Sequence, residues 1–154
     1  MLLAEALNER ADAQRRLADL KQRIGDNARV QEDEHPAEDP QALLNQAIAV
    51  NERIRALIVA VNVTNTATVL SDGTTVTEAL ARRDALSQRM RLVTDVANRA
   101  TVKLTRWGRA EIREVATLDV GALRAEVDRL AAQRRELDAE LQRVNWTTEL
   151  TVAV

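Results

Sequence analysis

Chemistry in this chain has few places to happen. Its one histidine, His35, stands in Glu32-Asp33-Glu34-His35, an acidic run that continues to Glu38 and Asp39. Glu-x-x-His spacing resembles half of a ferritin-like di-iron motif, which needs two such half-sites on facing helices. The chain has no second histidine, and Pro36 pushes the residue before it out of helical backbone, so the i,i+3 facing is lost. Glu32, Asp33, His35 and Glu38 are the candidate ligands for a single divalent cation held by oxygen atoms. The plainer expectation for the same residues is a solvated acidic loop with no metal and no cofactor.

Nucleophile chemistry has still less to stand on. The sequence contains no cysteine, which removes thiolate nucleophiles, disulfides and cysteine zinc sites. Ser71 and Ser87 lie outside any Gly-x-Ser-x-Gly turn, and only His35 offers an imidazole base. No glycine pattern builds a phosphate-binding loop. No catalytic residue is assigned, and enzyme activity is not expected.

The remaining candidates are contact residues. Arg10, Arg83 and Arg134 each interrupt an otherwise apolar helical stripe. An arginine there either pairs with a carboxylate in the seam and sets register or oligomeric state, or lies at the stripe edge and reaches water. Trp107 and Trp146 are the only aromatic residues, and both are expected just outside helix ends. There they suit either an interface anchor or a lid over a helical core.

Charge narrows the partners. The 154 residues carry 22 basic and 24 acidic side chains, a net charge of −2. Near balance, no global field draws the chain to nucleic acid or an anionic membrane. The longest apolar run, Ala56 to Val61, is far below the ~18–20 residues that span a bilayer. The opening Met1-Leu2-Leu3-Ala4-Glu5 lacks the basic start of a signal peptide. A cytoplasmic location is the expectation.

The elements that must position these residues are helices. Low glycine and proline with abundant Ala, Leu, Arg and Glu favour them. A first helix is predicted over 2–24 from Leu3, Ala6, Ala13, Leu17, Leu20 and Ile24, with Gly25 as its stop. The second, 41–62, has Asp39 as N-cap, Pro40 at the helix start and Asn62 at the end. Its repeat Leu43, Ala47, Val50, Ile54, Leu57, Val61 is widened by Leu44, Ile48 and Ile58, so this helix needs more than one neighbour. The third, 76–100, opens on the capping box Thr75-Val76-Thr77-Glu78. The fourth, 120–144, carries Leu123, Val127, Leu130, Leu137, Leu141 and Val144, with Asn145 as its cap.

Three connections read as β-prone: 66–76 as a small hairpin around Ser71-Asp72-Gly73, 101–118, and the tail 146–154. The expected architecture is all-α: one domain over 1–154, an elongated, coiled-coil-like four-helix bundle with a short β-hairpin and β-prone end segments. In an up-down bundle the acidic loop would meet the basic segment 103–113, and the hairpin and tail would pair at the opposite end.

Several phrases, taken in order, add a resemblance. They include Leu3-Ala4-Glu5-Ala6-Leu7, Asn27-Ala28-Arg29-Val30-Gln31-Glu32, Thr77-Glu78-Ala79-Leu80-Ala81-Arg82-Arg83-Asp84 and Asn145-Trp146-Thr147-Thr148-Glu149-Leu150. Together they are similar to a septicolysin-like family of small bacterial helical proteins without a settled biochemical role. The resemblance implies a single helical unit over nearly the whole chain, and its label implies a cytolysin. From the residues themselves, the expected function is a non-catalytic structural or interaction protein that self-associates and admits a further protein partner. The alternatives are a membrane-active helical protein and, third, a metal-dependent enzyme using the acidic loop.

Overall fold

The computed structural model describes residues 1–101 and 115–154. Four helices occupy them: α1 Leu3–Asn27, α2 Pro40–Ala67, α3 Val76–Ala100 and α4 Val120–Thr147. The chain divides into two compact units. The first is Met1–Val76 with Arg143–Val154, and the second is Thr77–Gln142.

In the first unit α1 and α2 run antiparallel. Leu3 and Ala6 of α1 meet Leu57 and Val61 of α2 at one end, with Leu7 and Leu150 against them. Leu20 meets Leu43 and Ala47 at the other end, flanked by Leu17, Ile24 and Val50. These are the positions of the two predicted stripes, because residues three and four apart share a helix face. Alongside the seam, Arg53 Nε donates to Glu9 Oε1 at 2.6 Å.

Three helix ends lie beyond their predicted stops. The helix α1 continues through Gly25 to Asn27, since a glycine ends a helix only where the next turn needs a left-handed residue. The helix α2 passes Asn62 and ends at Ala67, taking in residues predicted as strand. The Thr66 hydroxyl donates to Val63 O at 2.8 Å, which lets a β-branched residue sit in the last turn. Likewise α4 passes Asn145 to Thr147, whose hydroxyl donates to Arg143 O at 3.0 Å. Trp146 is therefore inside a helix, not beyond one. Where Asp39 was predicted to cap α2 it does so, its Oδ1 accepting from Gln41 N at 2.9 Å.

The β-prone segments form no strand among the described residues. The expected hairpin reduces to one antiparallel bridge, Val69 with Thr75. A turn closes it: Gly73 N donates to Leu70 O at 3.0 Å, and Gly73 takes φ 84, a left-handed value. Asp72 Oδ1 accepts from Thr74 N at 3.0 Å, an Asx turn. The tail does not pair with this turn. It bridges the N-terminus, Leu2 with Glu149, through Leu3 N to Thr148 O at 2.8 Å and Leu150 N to Met1 O at 2.9 Å. Local turn chemistry fills the hydrogen bonds that a sheet would have used. The third β-prone segment, 101–118, lies largely outside the described residues.

In the second unit α3 and α4 are joined by Arg89 Nη2 to Glu126 Oε1 at 2.8 Å. Ala79 and Ala97 of α3 and Leu130, Leu137 and Leu141 of α4 are buried.

Thr64 is the one fully buried polar residue among those described. Its hydroxyl donates to Ala60 O at 2.8 Å and accepts from Thr151 N at 3.1 Å, which ties the tail to α2. Thr64→Val keeps the volume and removes the tie. It is expected to lower unfolding free energy by about 1 kcal/mol in a urea titration. An unchanged midpoint would show that this hydroxyl does not hold the tail.

Candidate functional site

The acidic loop is arranged around an arginine. Arg23, near the end of α1, grips Glu38 with two nitrogens, Nε to Oε2 at 2.9 Å and Nη2 to Oε1. Asn27 completes the clasp: its Oδ1 accepts from Glu38 N at 3.0 Å, and its Nδ2 donates to Arg23 O at 3.0 Å. Twelve positions of loop are thus closed by side chains from one helix end and from the residue before Asp39. The guanidinium hydrogen bond holds the Glu38 carboxyl below its ordinary pKa and pushes Arg23 up.

Of the predicted ligands, Glu38 is therefore engaged by Arg23, while Glu32, Asp33 and His35 are exposed on the loop. No group of three or more His, Asp or Glu among the described residues is placed to hold a metal ion. The chemistry this loop displays is ion pairing. The basic segment 103–113, predicted as its counterpart, and Trp107 lie outside the described residues.

The three stripe arginines behave differently from one another. Arg10 is half-buried on α1, and its Nε is shielded from solvent without a hydrogen-bond acceptor. Arg83 turns to its neighbour Asp84 at 3.1 Å. Arg134 lies 3.6 Å from Asp138 one turn along α4. Two of the three thus pair within their own helix, at exposures where such pairs contribute little. Trp146 is 55% exposed on α4.

Between α3 and α4 runs an open groove. One part, about 400 Å³, is lined by Ser87, Met90, Arg91, Thr94, Asp95 and Arg134. The next, about 270 Å³, shares Thr94 and adds Ala97, Asn98, Arg124, Val127 and Asp128. Ser87 donates its hydroxyl to Arg83 O at 2.9 Å, so it is spent on the helix backbone and not poised as a nucleophile. Glu126 is held low by Arg129 and, less strongly, by Arg89. Here too carboxylates are matched with arginines.

The largest departure from a satisfied surface is on α2. Leu43, Ala47, Ile54, Leu57 and Val61 are buried. On other sides of the same helix, Leu44, Ile48, Ile58, Val59 and Val63 are between 37% and 55% exposed. Leu44, Ile48 and Ile58 are visible in the sequence as a widened stripe. Val59 and Val63 escape that pattern because only the covered face shows which side α1 takes. Arg23 and Asn27 also escape it, since they act on a residue more than ten positions away.

The sequence model of DUF6847, a family of unknown function, matches residues 10–150. The structure is similar to the crystal structure of a functionally unknown conserved protein from Corynebacterium diphtheriae, with TM-score 0.90 and 42% identity, covering 98% of this chain and 99% of that one. No curated protein matches the chain.

The Arg23 clasp sets a pH dependence. A carboxyl whose folded pKa is depressed adds stability above its unfolded value, 4.5 here, and that stability is lost as pH falls through the folded value. Glu38→Gln is expected to flatten the fall in melting temperature between about pH 5 and pH 3. Parallel curves for the variant and the parent would mean that the clasp contributes nothing to the loop's closure.

Proposed function

We propose that this chain, which belongs to the DUF6847 family of unknown function, serves as a non-catalytic interaction protein that associates with itself. The observation that carries this reading is the second apolar side of α2. Four large aliphatic side chains on it, Leu44, Ile48, Val59 and Val63, stand between 42% and 55% exposed while the opposite face is packed on α1, with Ile58 at 37% beside the packed face. Single exposed aliphatics are ordinary on a protein surface, but a cluster along one helix marks an interaction surface. Burying such area stabilises an assembly by roughly 25 cal/mol per Å².

The polar chemistry supports the same role. Glu9, Glu38 and Glu126 are each committed to an arginine, as befits side chains that hold helices and loops in place. No helix among the described residues is long and apolar enough to cross a membrane.

Native mass spectrometry and light scattering of the purified protein test the reading. A defined species at a multiple of 17.1 kDa is expected. A monomer at concentrations up to about 100 μM would overturn self-association, since it would leave less than about 5.5 kcal/mol for the assembly. Release of vesicle contents by the purified protein would instead favour the cytolysin reading of the septicolysin-like resemblance.

A further inference from the structure

The outer face of α2 carries a symmetry that says what covers it. Six exposed positions run along it, Leu44, Ile48, Glu52, Arg55, Val59 and Val63, with Asn45 and Asn62 exposed at its two edges. The spacing of the six is 4-4-3-4-4, which reads the same in both directions. On an ideal helix at 3.6 residues per turn they fall within an arc of about 100°. The whole 4-4-3-4-4 spacing averages about 3.8 residues per turn, so the stripe winds slowly around the helix, and two such stripes meet with their helix axes crossed rather than parallel.

The chemistry is symmetric along with the spacing. About the midpoint between Arg53 and Ile54, Leu44 mirrors Val63 and Ile48 mirrors Val59. Glu52 mirrors Arg55, an acid against a base. One step further out Gln41 mirrors Thr66, polar against polar, and both are exposed. A foreign partner would place no demand for such a palindrome on this helix. A two-fold axis would, because an isologous interface brings each residue i of one copy against j of the other and j against i.

We infer that α2 is the dimer interface of this protein, meeting α2 of a second copy antiparallel about a two-fold axis between Arg53 and Ile54. This deepens the self-association proposed above and rests on it. Leu44 then faces Val63 of the second copy and Ile48 faces its Val59, in two identical apolar patches. The patches flank a central cluster of four charges. Within each chain Arg55 Nε already donates to Glu52 Oε2 at 2.8 Å. Antiparallel pairing sets Glu52 against Arg55 of the second copy and Arg55 against its Glu52. Charges then alternate around the axis, and a network of this kind is worth more than an isolated surface pair. A parallel pairing would set Glu52 on Glu52 and Arg55 on Arg55, so the same two residues select the antiparallel arrangement.

Charge reversal tests the arrangement without touching the α1 side of the helix. By sedimentation velocity the parent protein is expected to be a dimer. Glu52→Arg alone and Arg55→Glu alone each put like charges across the axis twice, and each is expected to weaken dimerisation about tenfold or more. An equimolar mixture of the two variants restores opposite charges at both contacts and is expected to recover the dimer as a heterodimer. The doubly swapped protein, E52R with R55E, is self-complementary again and is expected to dimerise like the parent. Circular dichroism of each variant verifies that the helices remain.

The chain has no cysteine of its own, so an Ile48→Cys, Val59→Cys double variant gives an independent geometric readout. It should oxidise to a covalent dimer. Ile48→Cys alone should not, because the two copies of residue 48 lie about 16 Å apart along the axis in this pairing. A parent oligomer that ignores both charge reversals, or a single cysteine variant that cross-links as readily as the double, would place the interface elsewhere while leaving self-association standing. A parent that stays monomeric would remove both. Monomeric protein that sediments with phosphatidylglycerol vesicles, and ceases to with Ile48→Asp, would assign the stripe to lipid and overturn the dimer.

Discussion

A helix with apolar residues on two opposite sides cannot be satisfied by a single neighbour, and α2 is such a helix. Its packing on α1 organises the first unit. Leu3 and Ala6 lock one end of the seam, and Leu20 with Leu43 and Ala47 locks the other. Residues that close the unit attach to this seam. The tail reaches it through Thr64, and the acidic loop is held to it by Arg23 and Asn27. The face that α1 leaves uncovered is where any further association has to be explained.

The composition bears on why that face exists. With two tryptophans and no phenylalanine or tyrosine, the core is built from Leu, Ile, Val and Ala. Such side chains allow close helix approach but bury less area each than an aromatic residue does. Long helices with aliphatic stripes therefore gain stability from length and from additional neighbours more than from a wide central core. The arginine-rich polar surface complements this. Guanidinium groups grip carboxylates with two nitrogens, and the chain uses that geometry to close its loop through Arg23, while a single nitrogen of Arg89 reaches from α3 to Glu126 of α4.

Much of the helical plan was legible along the chain. The stripes of α1 and α2 reappear in the two packed clusters, the Asp39 cap forms, and α3 has its predicted bounds. Errors fell at helix ends and in the two β-prone stretches that the structure describes, 66–76 and 146–154, and they share a cause. Thr66 and Thr147 favour strands by their branching, yet each can return its hydroxyl to the preceding turn and extend a helix. Glycine at position 25 needs a left-handed successor turn to act as a stop, and none follows it. The pairing of the tail with Met1–Leu3, and not with the 69–75 turn, is a choice between two equally extended segments, which periodicity does not rank.

What the sequence determined by itself was the four helices, the helical phase of their apolar stripes and the scarcity of catalytic groups. Period and composition are local properties, and they survive without knowledge of the fold. Only the tertiary structure decided which of the two sides of α2 is covered, that Glu38 belongs to Arg23, and that Arg83 and Arg134 turn to carboxylates on their own helices while Arg10 does not. Those outcomes depend on which distant segments come within a few ångströms of one another. A contact of that kind is a property of the packed chain, because the same side chain at the same helical phase is core or surface according to what arrives beside it.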